Sequence, residues 1–190
     1  MNIKEIKNSN TKYLGKNILY FDELESTQDL AKQLVKENVK SGTVILTDYQ
    51  TKGKGTNDRK WYSSKGKNIM MTIIMYPHFS VKQLDGLTVE IAKQIQKAIQ
   101  ELYEIPLTIK EPNDLLLNNQ KIAGILTQSA TYENRVTHIL IGIGFNVNEE
   151  FFSEEVKDIA TSLKKEYYQE FSREEIISRI LEKLEEILPN

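Results

Sequence analysis

The chain has 190 residues, 39% of them hydrophobic and 27% charged, with a formal net charge of -2. That length suits one buried core rather than two, and the near balance of charge offers no long-range field for a nucleic-acid backbone, so no nucleic-acid partner is expected. Having no cysteine excludes disulfides, thiolate nucleophiles and sulfur metal sites; with no signal-peptide core and no apolar stretch long enough to span a bilayer, the expectation is a cytoplasmic protein without a membrane partner.

In chain order, residues 26–38 place Leu30, Leu34 and Val35 on one helical face, with a capping-box pattern from Ser26 to Asp29. Residues 43–48 are short and β-branched, and residues 68–76 are again extended before Pro77, so two strands flank a long polar loop containing glycines. Between Val81 and Tyr103 the residues Leu84, Leu87, Ile91, Ile95, Ala98, Ile99 and Leu102 follow helical spacing, which predicts one continuous helix covering a sheet face. Segments 107–110, 114–117, 121–130 and 136–148 then alternate or run apolar. Asn118-Asn119 and Glu133-Asn134 are turn pairs between them, and the set predicts an antiparallel meander. Ser172 and Glu175 cap a last helix whose apolar face runs from Ile176 to Leu188 and which Pro189 ends. The expected class is α+β: a mixed, largely antiparallel sheet with helices packed on it, in a single domain over residues 1–190.

Three segments carry candidate chemistry. GKGTNDRKW at 53–61 combines close-approach glycines with Lys54, Arg59 and Lys60, which suits a phosphate but equally describes a flexible basic loop; it is no Walker loop. KEPND at 110–114 is followed by KIAGIL at 121–126. Lys121 opens an apolar strand, so it either meets an anion there or follows the turn into water, and Gly124 suggests something passing close to the strand. In IGIGFNVN at 141–148 the glycines either leave room for a flat ligand or mark a bulge, and Asn146 either serves a ligand or satisfies a turn. His78 and His138 show no metal spacing and read as structural.

Taken together with ESTQDL at 25–30 and ATSL at 160–163, these segments resemble, in this order, the biotin-protein ligase catalytic domain, over residues 20–188. The resemblance implies the biotin/lipoate ligase, class II synthetase-like fold and an ATP-dependent ligase that forms biotinyl-5′-AMP and passes biotin to a lysine of a biotin carboxyl carrier protein. By matching motif, it assigns Lys121, Asp114 and Asn113 to catalysis. Ser26, Thr27, Gln28, Gln50, Gly53, Lys54, Gly55, Lys121 and Gly124 go to biotin; Lys54, Arg59, Lys60, Trp61, Asn113, Lys121 and Asn146 go to ATP, with magnesium near Asp114. It also implies a glycine-basic flap that orders over ligand, and it leaves a homodimer through a meander edge open.

Three departures qualify the resemblance. Gln28 stands for an asparagine; Thr56 stands for a flap arginine, which implies weaker adenylate retention; Glu111 stands for a tryptophan, which implies a more polar pocket wall. About twenty residues precede the first strand and the chain stops after the Ser172 helix. The expectation is therefore a domain with neither an N-terminal helix-turn-helix repressor part nor a C-terminal β-barrel. A non-catalytic biotin or adenylate-binding module and a lipoate or octanoate transferase stay open as alternatives.

Overall fold

The computed structural model describes residues 1–56 and 59–188. Asn57 and Asp58 of the flap, and Pro189 as the expected helix stop, lie outside these residues. The elements are α1 (Ile3–Lys7), β1 (Ile18–Phe21), α2 (Thr27–Lys36), β2 (Thr43–Thr47), β3 (Ile69–Met75), a 3-10 turn (Val81–Leu84), α3 (Leu87–Tyr103), β4 (Thr108–Lys110), β5 (Asp114–Leu117), β6 (Gln120–Tyr132), β7 (Arg135–Phe145), α4 (Leu163–Tyr167) and α5 (Arg173–Glu185). The strands form one sheet ordered β1-β2-β3-β7-β6-β5-β4, in which only β1 and β2 are parallel, joined through α2. This is the expected mixed, largely antiparallel sheet.

The meander closes through two-residue turns. Asn118 and Asn119 have φ of 50° and 64°, Glu133 and Asn134 of 45° and 63°. Two consecutive left-handed residues make the tight turn whose twist matches the strands it joins, and asparagine tolerates that conformation well.

The sheet's two faces are covered unequally. One carries Ile69, Met71, Ile73 and Met75 of β3 and Ile139, Ile141, Ile143 and Phe145 of β7, packed beneath α3 and α5 in a continuous core. On the other, α2 lays Ala31, Leu30, Leu34 and Val35 over Ile45, Ile74 and Leu140, a smaller cluster that Phe21, Leu24, Val39 and Tyr76 join partly buried. The remainder of that face lies beneath loop 48–68, and there the site forms.

The helix expected over residues 81–103 is two elements. Gly86 adopts φ +76° and serves as the N-cap of α3, and a left-handed residue cannot continue an α-helix. Ser80 and Gln83 close a capping box on the separate 3-10 turn. Apolar spacing carries across the break because Leu84 still packs, partly buried, against the core.

Helix α5 is tied to the sheet by charge. Arg173 Nη1 donates to Asp48 Oδ1 at 2.8 Å and the Tyr20 hydroxyl to Asp48 Oδ2 at 2.6 Å. Burial pushes the Asp48 pKa up, but those two donors outweigh it and hold the carboxyl below its ordinary 3.8. A depressed folded-state pKa means the stabilisation is complete above the unfolded value and is lost as pH falls through the folded one. Asp48→Asn should thus lower stability at neutral pH by about 1–2 kcal/mol, and the deficit should shrink toward zero in strong acid. Thermal unfolding from neutral pH down to about pH 2, compared between variant and wild type, checks this.

Candidate active site

Strand alternation puts three registered rows on the partly covered face: Met70, Gly144, Gly124 and Asp114; Thr72, Gly142 and Leu126; then Ile74, Leu140 and Gln128. Three glycines therefore leave a flat floor where neighbouring rows carry side chains. Pairing runs without a register shift through Gly142 and Gly144, which decides between a bulge and room for a flat group in favour of room. What lies on the floor is Trp61: a Cβ on Gly144 would stand 2.5 Å from its indole and one on Gly124 3.2 Å. The indole Nε1 is buried with no partner.

Helix α2 starts at the far end of the floor. The Ser26 hydroxyl caps it by accepting from Asp29 N at 3.4 Å, while Thr27 N and Oγ1 both donate to Gln50 Oε1, at 2.8 and 3.1 Å. Gln28 lies across Gly142, where a Cβ would be 2.8 Å from its Oε1. Its amide donates to Gln128 Oε1 at 3.1 Å, and its Oε1 lies 3.1 Å from the Thr72 hydroxyl. The extra methylene over asparagine is what lets this side chain reach Gln128, so this end of the floor is blind and polar.

Two cavities adjoin. The first holds Ser26, Thr27, Gln28, Gln50, Asn113 and Gly124 and has a free volume of about 40 Å³. With Trp61 seated, that admits a few waters and no fused ring system. The second, about 350 Å³, holds Arg59, Lys60, Asp114 and Asn146, whose Oδ1 is buried without a partner. Gly55, Thr56, Trp61 and Lys121 border both.

Lys121 points into this junction and not into bulk water. Its ammonium lies 2.6 Å from Asp114 Oδ1 and 5.8 Å over the Trp61 ring. Its backbone is held from outside the meander, Lys121 N donating to Ile159 O at 2.7 Å and Thr161 N to Lys121 O at 2.9 Å. The ATSL segment therefore acts on the site by fixing the strand position that carries Lys121. Asn113 Nδ2 reaches Asp114 Oδ1 and Ile125 O, both at 3.3 Å, and so braces the carboxylate.

The flap is a small hairpin, with Gly55 N donating to Arg59 O at 2.7 Å and Trp61 N to Gly53 O at 3.0 Å. Its cations differ from expectation in where they point. Lys54 is tied to Asp29 at 2.7 Å and Lys52 to Glu25 at 2.7 Å, both in exposed pairs, and Arg59 is folded onto Thr56. Gly53 borders an outer groove and neither of the two cavities; a Cβ there would lie 2.5 Å from the Trp61 carbonyl, so its small size serves the hairpin itself. Glu111 is exposed and borders a depression on the α3 side with Leu87 and Glu90, so the polar pocket wall expected from it is absent. Neither His78 nor His138 lines either cavity.

Residues 20–146 match the biotin/lipoate A/B protein ligase family, to which this chain belongs. The bifunctional ligase/repressor BirA of Bacillus subtilis is 38% identical over 173 residues, 90% of this chain and 53% of that protein. The chain thus spans about half the length of the curated relatives it matches. The biotin protein ligase of Aquifex aeolicus, solved in complex with biotin and ATP, superposes with a TM-score of 0.76 at 31% identity over 90% of this chain and 69% of that one. A biotin acetyl coenzyme A carboxylase synthetase from Helicobacter pylori, with bound biotinylated ATP, gives 0.64 at 26% identity over 90% and 75%.

Sequence reasoning missed Thr72 and Gln128. Thr72 was visible only as a polar interruption of an apolar strand, and Gln128 sits on the floor through a register that no local pattern encodes. Among the described residues no helix is long and apolar enough to cross a membrane.

Proposed function

We propose that this chain activates biotin with ATP and transfers the biotinyl group to a lysine of a biotin carboxyl carrier domain, as in acetyl-CoA carboxylase and other biotin-dependent carboxylases. The observation that carries the proposal is the junction of two unlike cavities at one ammonium, Lys121, with Asp114 beside it. The flat first cavity ends in hydroxyls and amides that match a ureido group's two donors and one acceptor. The second offers Asn146 Oδ1, an acceptor in want of an N–H donor such as an adenine amino group.

In this reading a biotin carboxylate oxygen attacks the α-phosphorus, the bond to pyrophosphate breaks, and a mixed anhydride forms. A lysine amine then attacks the acyl carbon, AMP leaves and the amine proton is given up. Lys121 offsets the charge on carboxylate and phosphate in turn, its single flexible ammonium following the charge from one to the other. That movement frees Asp114, which is placed to take the amine proton. Magnesium would enter on the triphosphate: among the described residues no three metal-ligating side chains cluster, and a lone carboxylate beside Lys121 fits an ion carried largely by phosphates, with Asp114 as the residue to hold it.

The polar blind end counts against a lipoate or octanoate transferase, because a dithiolane or saturated chain would leave Thr72, Gln28 and Gln128 facing apolar atoms. The test is to incubate the protein with ATP, magnesium and an apo carrier domain, with either biotin or lipoate, and to weigh the carrier. A biotin-sized gain with pyrophosphate release is expected. Tight biotin binding with no pyrophosphate would reduce the chain to a binding module, and a lipoyl-sized gain would replace the substrate.

A further inference from the structure

Among the described polar residues that are fully buried, Glu149 is the ionisable one, at 5% exposure. No cation lies within ion-pair distance of it among the described residues. Its carboxylate instead accepts Ser64 N at 2.7 Å, Ser64 Oγ at 2.8 Å and Asn68 Nδ2 at 2.8 Å. Burying a carboxylate against neutral donors costs more than burying a glutamine, so packing alone does not explain the choice. What the carboxylate supplies is acceptors without a donor, at a point where three donors converge.

Those donors come from a particular place. Ser64 is the C-terminal root of the flap, three residues after Trp61, and Asn68 directly precedes β3. Asn68 Oδ1 accepts Val147 N at 3.0 Å, next to Asn146. The Glu149 carbonyl accepts the hydroxyl of Ser162, the residue that follows Thr161 of the Lys121 clamp. One buried acid thus links the flap root to the strand end bearing Asn146 and to the segment that fixes Lys121.

We propose that Glu149 is a positioning residue that anchors the flap at Ser64 and so holds Trp61, Arg59 and Lys60 over the shared mouth of the two cavities. The claim that this governs the adenylate rests on the function proposed above; the claim about the flap does not. Three variants separate them. Glu149→Gln sets an amide donor against the converging N–H groups, Ser64→Ala removes one bond at the root, and Glu185→Gln, which weakens the acceptor of Lys12 N, Tyr13 N and Leu14 N, destabilises the fold away from the flap.

Well below each variant's Tm, trypsin cleavage after Lys52, Lys54, Arg59 and Lys60 is expected to rise about tenfold in Glu149→Gln and a few-fold in Ser64→Ala, with Glu185→Gln within about twofold of wild type. Escape of biotinyl-AMP should rise in the same order while kcat at saturating substrate stays within about threefold. Equal cleavage in Glu149→Gln and Glu185→Gln, or no change in either flap-root variant, overturns the anchor. If Glu149→Gln does not fold, Ser64→Ala alone decides, its cleavage rising for the anchor or matching wild type against it. A wild type that makes no adenylate sinks the activity and leaves the trypsin result to judge the flap.

Discussion

Lys121→Ala should abolish adenylate formation, by about a thousandfold or more, while the protein remains folded. Among the described residues the ammonium is the one cation bordering both cavities, placed to neutralise a carboxylate and a phosphate as they approach, and without it two anions meet in a pocket walled by an indole and glycine backbone. The substitution also strips Asp114 of its 2.6 Å partner, leaving the carboxylate, whose side chain is 18% exposed, with a bond from Asn113 and limited water. A stability loss of about 1–2 kcal/mol follows from that unpaired charge. Combining Lys121→Ala with Asp114→Asn should recover much of the stability and none of the activity, which separates the chemical role from the structural one. Pyrophosphate release and thermal unfolding measured on the same preparations decide it: a single variant retaining a tenth of the wild-type rate would remove Lys121 from the centre of the mechanism.

How far the site was legible differs residue by residue, for physical reasons. Lys121, Asp114, Gly124 and Asn146 were legible through the order of the motifs and not through local spacing: β5 and β6 pair across a register shift at Leu115/Leu116, between Asp114 and Lys121, and Asn146 lies just past the end of β7. The meander was readable locally, through its two left-handed turn pairs. By contrast, the seat of Trp61 on Gly124 and Gly144, the Lys54 pair with Asp29 and the Arg59 bond to Thr56 depend on a hairpin folding back across the sheet. No local period records such a contact. The Glu149 anchor joins residues 85 and 81 positions apart, and the break at Gly86 was masked because the 3-10 turn keeps Leu84 on the core side. Glu111 misled because a resemblance assigns a position to a wall, whereas the backbone here sends that side chain to the opposite side of the sheet.

Gly144→Ala should be the most damaging single-methyl change in the floor. The added Cβ would stand 2.5 Å from the indole, a distance no side chain tolerates, and its neighbour is a bulky ring wedged under the flap and not the tip of a flexible chain. Overpacking of this kind costs about 1–3 kcal/mol, so biotin affinity is expected to fall by about 5- to 150-fold as any flat ligand meets the same methyl. Trp61 is the chain's one tryptophan, so its fluorescence reports the displacement directly. In the wild type the half-buried indole, with its Nε1 out of reach of water, should emit at shorter wavelength than an exposed one, and biotin should shift that emission, because about 40 Å³ leaves no room for a fused ring beside the seated indole. In Gly144→Ala the emission should already be displaced before biotin is added. Gly142→Ala is the counterpart: its Cβ meets Gln28 Oε1 at 2.8 Å, so it should weaken biotin binding at the blind end and leave the emission where it was. Biotin binding to the wild type with no change in emission would show that the ring is a fixed wall of the pocket, and that the floor of Gly124 and Gly144 receives the indole alone.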